Sequence, residues 1–197
     1  MNSLIIKRTA LLCAMFLTAG MAAVDAQTAL HSQDMDMKLS GTSNLHDWEM
    51  NAARGTSKAS FLIDKKGRVI SMSLLAFSFP AKNLKSDHTA MDKNTYKALR
   101  TDKNPNISFV GTSSSIKSTG GNNYTLSCNG NMTIAGTTKA TNLIATGVYS
   151  PASGSFTITG VKKIKMTDYN VKPPTAVMGT IKTGDDITLS YNVKLTK

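Results

Sequence analysis

The stretch that decides the fold reads FSFPAKNLKS over residues 77–86, MDKNTYKALR over 91–100 and NPNISF over 104–109. Its order predicts a strand, a proline corner, one short polar helix and a second strand. Pro105 prevents any extension of the helix, because proline lacks the amide hydrogen that a helix interior needs. Generic all-β proteins lack this order, so it narrows the fold more than any other part of the chain.

The helix predicted over 91–100 has an apolar side and a polar start. Thr89 is placed as its N-cap with Asp92 three residues on, which approximates a capping box and puts a carboxylate at the positive end of the helix dipole. The side chains that share one side at helical spacing are Met91, Thr95, Ala98 and Leu99, with Tyr96 beside them. We expect the helix to lie against a barrel, either as a lid over a ligand or as the closure of one end of the core.

Three further segments carry a family resemblance when they are taken with this stretch. They read GTSNLHDWEM over 41–50, GNMTIAGTTK over 130–139 and MTDYNVKPP over 166–174. In this order the segments resemble the YceI-like family of exported bacterial proteins, and the resemblance covers nearly all of the chain after its N-terminal leader. It implies an eight-stranded, lipocalin-like barrel. It also implies that the lumen holds a long apolar molecule, such as a polyisoprenoid, a quinone or a fatty acyl chain, for transport or storage.

Strand signals fill most of the remaining sequence. Short runs rich in Thr, Ser, Val, Ile and aromatic residues are interrupted by Gly, Asn and Pro, which is typical of antiparallel strands joined by tight turns. The predicted strands span residues 37–41, 46–54, 58–63, 68–79, 107–117, 124–134, 139–149, 155–161, 164–169 and 186–195. These signals predict an all-β, antiparallel fold with one short helix, and the family resemblance implies that its strands form an eight-stranded lipocalin-like barrel.

The N-terminus reads as a secretory signal. Lys7 and Arg8 precede an apolar run over 10–23, and small residues follow where a signal peptidase would cut. The run is too short for a membrane span, and an N-terminal anchor is the alternative. Cleavage near Ala26 would leave residues 27–197 as one YceI-like domain and would place the protein in the periplasm or outside the cell.

Composition and charge indicate which classes of partner the protein could bind. The formal net charge is +11, but the basic residues are scattered, and residues 162–165 form the only tight cluster. Nucleic acid is not an expected partner, because the chain lacks a basic stripe interleaved with aromatic residues. The charge allows peripheral attraction to an anionic membrane surface, and a solvated basic exterior is the alternative. Pairing into a homodimer is left open.

Residues that could carry catalysis are few. The histidines are His31, His46 and His88, and they match no recognised nucleophile or metal pattern. His46 and Asp47 are neighbours on a predicted strand, so their side chains point to opposite faces and cannot act as a base with its orienting group. Cys128 is expected to be a buried, inert thiol. We therefore expect a binding protein and not an enzyme, with no cofactor and no metal.

Apolar and polar residues alternate along the predicted strands, most clearly over 187–195, so each strand has one apolar face that points inward. The family likeness and these inward faces together nominate the lumen residues. The nominated residues are Trp48, Phe61, Met72, Phe79, Phe109, Leu126, Met132, Phe156, Ile158, Met166, Leu189 and Tyr191. A head-group site or lid at one mouth is assigned to His88, Met91, Asp92 and Tyr96. The first segment, 27–36, reads as a shortened version of the family's usual start. A solid core and a tunnel produce the same alternation, so a ligand-free filled barrel, acting as a periplasmic stress-related or surface interaction protein, is the alternative.

Overall fold

The protein is built almost wholly from strands. The computed structural model describes residues 27–197, so the predicted signal peptide and its cleavage near Ala26 lie outside the described residues. In chain order the elements are β1 (Gln27–Ser43), β2 (Trp48–Ile63), β3 (Val69–Pro80), α1 (Thr89–Leu99), β4 (Asn106–Gly120), β5 (Asn123–Ile134), β6 (Thr137–Ser150), β7 (Ser155–Lys165), β8 (Thr175–Ala176) and β9 (Ile181–Leu195). Short 3-10 turns stand at Ala81–Asn83, Thr167–Tyr169 and Val177–Gly179.

The strands close into a barrel. β1 to β7 pair antiparallel in sequence order, and β9 pairs with both β7 and β1, which closes the sheet on itself. The two residues of β8 pair with β9 alone. The predicted all-β class, an antiparallel eight-stranded barrel with one helix, is confirmed.

Several strand bounds differ from the prediction. Residues 48–54 and 58–63 belong to one strand, β2, because register shifts in its pairing with β1, between Ser32 and Met37, absorb the irregular spacing that divided the sequence pattern. His46 and Asp47, predicted to lie on a strand, are in the loop before β2. The segment 27–36, predicted to be a shortened start, is the first half of β1. The segment 164–169 is a strand only as far as the end of β7, and a 3-10 turn follows.

The helix α1 lies where it was predicted but is capped differently. His88, not Thr89, is the N-cap residue, and its side chain makes no capping hydrogen bond. The helix ends at Leu99. Asp92 does not complete a capping box, because its carboxylate accepts hydrogen bonds from the amide and the hydroxyl of Ser86, each at 2.8 Å. The acidic residue therefore fastens the preceding loop to the helix.

Aromatic rings pack one half of the barrel interior. Phe156 stacks on Phe61 with 4.4 Å between ring centroids, and Tyr124 and Tyr149 lie 5.9 and 6.3 Å from Phe156. Gly147 makes room for the cluster, because a Cβ at that position would lie 2.4 Å from the Phe156 ring. We call these four rings the aromatic plug.

The wall between β6 and β7 is only partly joined by backbone pairing. Residues 145–150 of β6 pair with β7, whereas residues 137–144 and 161–165 do not pair with each other in the described chain. A side chain spans the opening, because Nζ of Lys162 donates to the carbonyl oxygen of Asn142 at 2.9 Å. We call this stretch the β6–β7 gap.

Candidate functional site

The half of the barrel next to α1 holds a cavity of about 390 Å³. Its walls come from α1, from the segment 166–177 and from every barrel strand except β6. The apolar side chains that line it from buried or half-buried positions include Leu39, Trp48, Met50, Phe77, Phe79, Leu84, Leu99, Ile107, Met132, Ile134, Ile164, Met166, Ile187 and Leu189. Such a lining suits a ligand made mainly of hydrocarbon.

Exposed side chains mark the mouth of the cavity. His46 comes from the loop between β1 and β2, His88 and Ala90 from the start of α1, and Thr175 and Val177 from the opposite side. Imidazole groups therefore stand at the opening, whereas the interior behind them is apolar. The site therefore has a polar end at the mouth and an apolar end in the interior.

Trp48 forms the wall just inside the mouth. It is half-buried, and its indole Nε1 donates to the carbonyl oxygen of Thr42 at 3.0 Å. Gly41 lies directly across from it in the β1–β2 pairing. The absence of a side chain at Gly41 lets the ring lie flat on the β1 backbone, so one glycine fixes where this wall stands.

The helix α1 supplies a second wall. Met91, Ala98 and Leu99 border the cavity from one side of the helix, together with the polar Asn94 and Thr95. α1 thus covers part of the lumen, as expected for either a lid or an end closure.

Asp92 and Tyr96 hold α1 to the loop before it and do not border the cavity. The Tyr96 hydroxyl lies 2.9 and 2.8 Å from the carbonyl oxygens of Lys82 and Leu84, which share its proton. Burial acts to raise the pKa of Asp92, but the two Ser86 hydrogen bonds and the nearby Lys85 ammonium outweigh it and hold that pKa below its usual value. Both groups are already engaged, which is why they do not face a ligand.

Two potentially reactive side chains, Cys128 and His46, are respectively buried and hydrogen-bonded to the backbone. No cluster of three or more His, Cys, Asp or Glu side chains within residues 27–197 could hold a metal ion. Cys128 is 1% exposed, and burial raises the pKa of its thiol. His46 directs Nδ1 toward the carbonyl oxygen of Asp47 at 2.7 Å and not toward a carboxylate.

Phe77 forms the floor of the cavity. It borders the large cavity and also a second one of about 30 Å³ deeper in the barrel. The other walls of the small cavity are Met35, Met37, Ser57, Leu75, Leu143, Ile158, Tyr191, Val193 and Leu195. Burial raises the pKa of Tyr191 in that wall to about 12. We call the two spaces the front cavity and the rear cavity.

The structure divides the nominated lumen residues by depth. Those that border the front cavity are Trp48, Phe79, Met132, Met166 and Leu189, with His88 and Met91 from the nominated mouth. Ile158 and Tyr191 border the rear cavity. Phe61, Met72, Phe109, Leu126 and Phe156 border neither, because they are packed among other side chains of the core. Alternation predicts which side chains point inward, but not how far along the barrel the hollow part extends.

Phe77 is one of the lining residues that the sequence reasoning missed. It stands two residues before Phe79, which was nominated, and strand periodicity puts both on the same face. The same signal was present for Ile187, which stands two residues before Leu189. By contrast, nothing in the local pattern marked residues 167–177, which follow the nominated Met166, as a wall.

The comparisons with known proteins agree with this architecture. The family model of the YceI-like domain matches residues 24–195. No curated protein matches the sequence. A polyisoprenoid binding domain from Saccharophagus degradans is similar in structure, with a TM-score of 0.65 and 6% identity over 87% of this chain and 99% of that one. BcnA from Burkholderia cenocepacia has a TM-score of 0.61 and 15% identity over 83% and 96%. At these identities the two likenesses concern the fold.

Within residues 27–197, no helix has the length and apolar character needed to cross a membrane.

Proposed function

The chain belongs to the YceI-like domain family, and from that premise we propose that it binds one long apolar molecule, a prenyl or fatty acyl chain, for transport or storage. The observation that carries the proposal is the front cavity, which has an apolar wall and a mouth at one end. The ligand class of the similar Saccharophagus degradans domain, a polyisoprenoid, supports the choice of hydrocarbon.

Burial of hydrocarbon supplies enough free energy for such binding. Each methylene removed from water contributes about 0.8 kcal/mol, so twelve carbons contribute about 10 kcal/mol before costs. Loss of translational and rotational freedom takes back about 4 kcal/mol or more. The remainder corresponds to a dissociation constant of roughly tens of micromolar, to which contacts at the mouth add.

The mouth suits a head group that accepts or donates hydrogen bonds. His46 and His88 border the cavity there, and a neutral imidazole offers one donor and one acceptor. An alcohol can donate to either ring, whereas a quinone carbonyl can accept only from His88, because the Nδ1–H of His46 is engaged by the carbonyl oxygen of Asp47. The attached chain then enters the apolar interior. Of the residues first nominated for this role, His88 remains the best placed.

Export is part of the proposal. The basic residues and apolar run before Ala26 have the pattern of a cleaved signal, which supports a periplasmic or secreted location. The basic surface supports peripheral attraction to anionic membranes, where apolar cargo would be collected or delivered. The mass of the protein recovered from the cell envelope tests this, and an uncleaved N-terminus would contradict it.

Native mass spectrometry of protein purified from its own cells tests the binding function. We expect an additional bound mass that organic extraction removes, and we expect the extracted protein to take up a fluorescent fatty acid. Competition by unlabelled prenyl alcohol provides the control for specific binding. Repeated recovery of empty protein that takes up no probe would favour the alternative, an interaction protein that uses the exterior of the barrel.

A further inference from the structure

Among residues 27–197, Phe77 alone borders both the front cavity and the rear cavity. In the strand pairing it lies directly opposite Ser57 of β2 on one side and Phe109 of β4 on the other. Its ring stacks on Phe109 with 5.6 Å between centroids and 19° between planes. Because Phe109 is fully buried, this stack holds the Phe77 ring in place as a partition between the front and rear cavities.

The rear cavity is a poor place for a hydrocarbon tail. Its volume of about 30 Å³ is close to the share of one water molecule in the liquid. Its wall includes Ser57, which is 5% exposed and whose hydroxyl has no hydrogen-bond partner among the described residues. A water molecule in this space can pair with the hydroxyl, whereas a hydrocarbon tail would displace that water and leave the hydroxyl unpaired, which disfavours the bound state.

The capacity of the front cavity limits the chain that can be fully buried. A volume of about 390 Å³ corresponds to about a dozen water-sized groups. The aromatic plug fills the barrel interior beyond the rear cavity, so added carbons have to remain at the mouth. Hydrocarbon there stays in water and contributes little to affinity.

We propose that Phe77 is the end stop of the ligand chain, so that this barrel selects prenyl or acyl chains of roughly twelve to sixteen carbons over long polyprenyl chains. The inference rests on the proposed function and adds its length limit. Ser57 reinforces the limit, because its hydroxyl makes the space behind Phe77 unfavourable for hydrocarbon even when the ring moves aside.

A series of saturated fatty acids from eight to twenty carbons, with full-length protein, tests the end stop. For the natural protein we expect affinity to rise about fourfold per carbon while the front cavity fills, and then to level off. In Phe77→Ala the levelling should move to chains longer by about two carbons or more, since the rear cavity and the space of the ring become available. Ser57→Ala added to Phe77→Ala should strengthen binding of the longest acids further.

The outcomes separate the two proposals. A levelling point that is unchanged in Phe77→Ala, or an affinity that keeps rising to twenty carbons in the natural protein, overturns the end stop and leaves the binding function intact. Absence of binding at every length overturns both. If circular dichroism shows that the alanine variant does not fold, Phe77→Leu replaces it in the fatty-acid series. Met72→Leu, at a buried position that borders neither cavity and lies outside the aromatic plug, is the control and should keep the natural levelling point.

Discussion

Gly41 and Trp48 lie opposite each other across β1 and β2, and a Cβ on Gly41 would lie 2.3 Å from Cζ2 of the Trp48 ring. That distance is far below a van der Waals contact, so any larger residue at position 41 must displace the ring. Since the ring is a wall of the front cavity, the size of the residue at 41 controls the shape of the mouth.

Gly41→Ala should therefore have two effects: it should lower the free energy of unfolding and displace the Trp48 ring. We expect a loss of about 1–3 kcal/mol in the free energy of unfolding, because the added methyl overpacks the site. Trp48 is the single tryptophan of the chain, so its fluorescence reports the displacement directly. Ser40→Ala on the same strand is the matched control. An emission spectrum and a melting temperature equal to those of the natural protein would contradict the contact.

The two halves of the barrel should respond differently to loss of a side chain. Phe156→Ala removes the centre of the aromatic plug, and we expect it to cost about 3–5 kcal/mol of unfolding free energy in urea titration. Met166→Ala should cost clearly less, because Met166 is half-buried at the wall of a space that is already open. Equal losses for the two variants would mean that the front half is packed as tightly as the rear.

Asp92 should make stability depend on pH in the acidic range. Its pKa in the folded state lies below the unfolded value of about 3.9. Its contribution is therefore complete above about pH 4 and is lost as pH falls through the lower folded pKa. Asp92→Asn should destabilise the protein by about 1–3 kcal/mol near neutral pH, because the charge-assisted hydrogen bonds from Ser86 are lost.

Urea titrations of Asp92→Asn at several pH values check this. The difference from the natural protein should shrink below about pH 4. Asp102→Asn is the control, because Asp102 pairs with Lys82 on the exposed surface and its loss should change little. A difference for Asp92→Asn that stays constant down to pH 2 would show that its carboxylate gains nothing from these partners.

Cys128 should be protected from thiol reagents in the folded protein. Its side chain is buried and its raised pKa disfavours the reactive thiolate. We expect Ellman's reagent to modify it only as fast as the barrel opens, and at once in denaturant. The urea dependence of the labelling rate gives the free energy of that opening. Equally fast labelling with and without denaturant would place the thiol at the surface.

The order of elements could be read from the sequence because local chemistry determines it. Pro105 ends the helical segment, and alternating apolar residues such as Ile187 and Leu189 make strands with one dry face. How far the front cavity extends into the barrel could not be predicted from local sequence patterns. Phe61 and Phe79 both point inward, yet only Phe79 borders the front cavity. The difference comes from Phe156, nearly a hundred positions along the chain from Phe61, whose ring fills the space beside it.

The roles of Asp92 and Tyr96 were hidden for a related reason. Both stand on a helix that was predicted to reach a ligand, and a carboxylate and a phenol are suitable for contacts with a head group. Their partners are Ser86 and two carbonyl groups of the loop before α1, which only the path of that loop brings into range. Sequence patterns describe a helix face, but not the loop that folds back over it.

Because of the β6–β7 gap, backbone pairing between neighbouring strands is not continuous around the barrel wall. Along this stretch side-chain contacts take the place of a strand ladder. They join Lys162 with Asn142, Lys139 with Asp168 at 3.6 Å, Tyr191 with Ile144 at 3.4 Å and Asn170 with Thr137 at 3.2 Å. A thicker guest would part these contacts without breaking a ladder between β6 and β7. Ion pairs as exposed as the second one hold with less than about 1 kcal/mol. We therefore expect the barrel to widen more easily along this stretch than along the continuous pairing of β5 with β6.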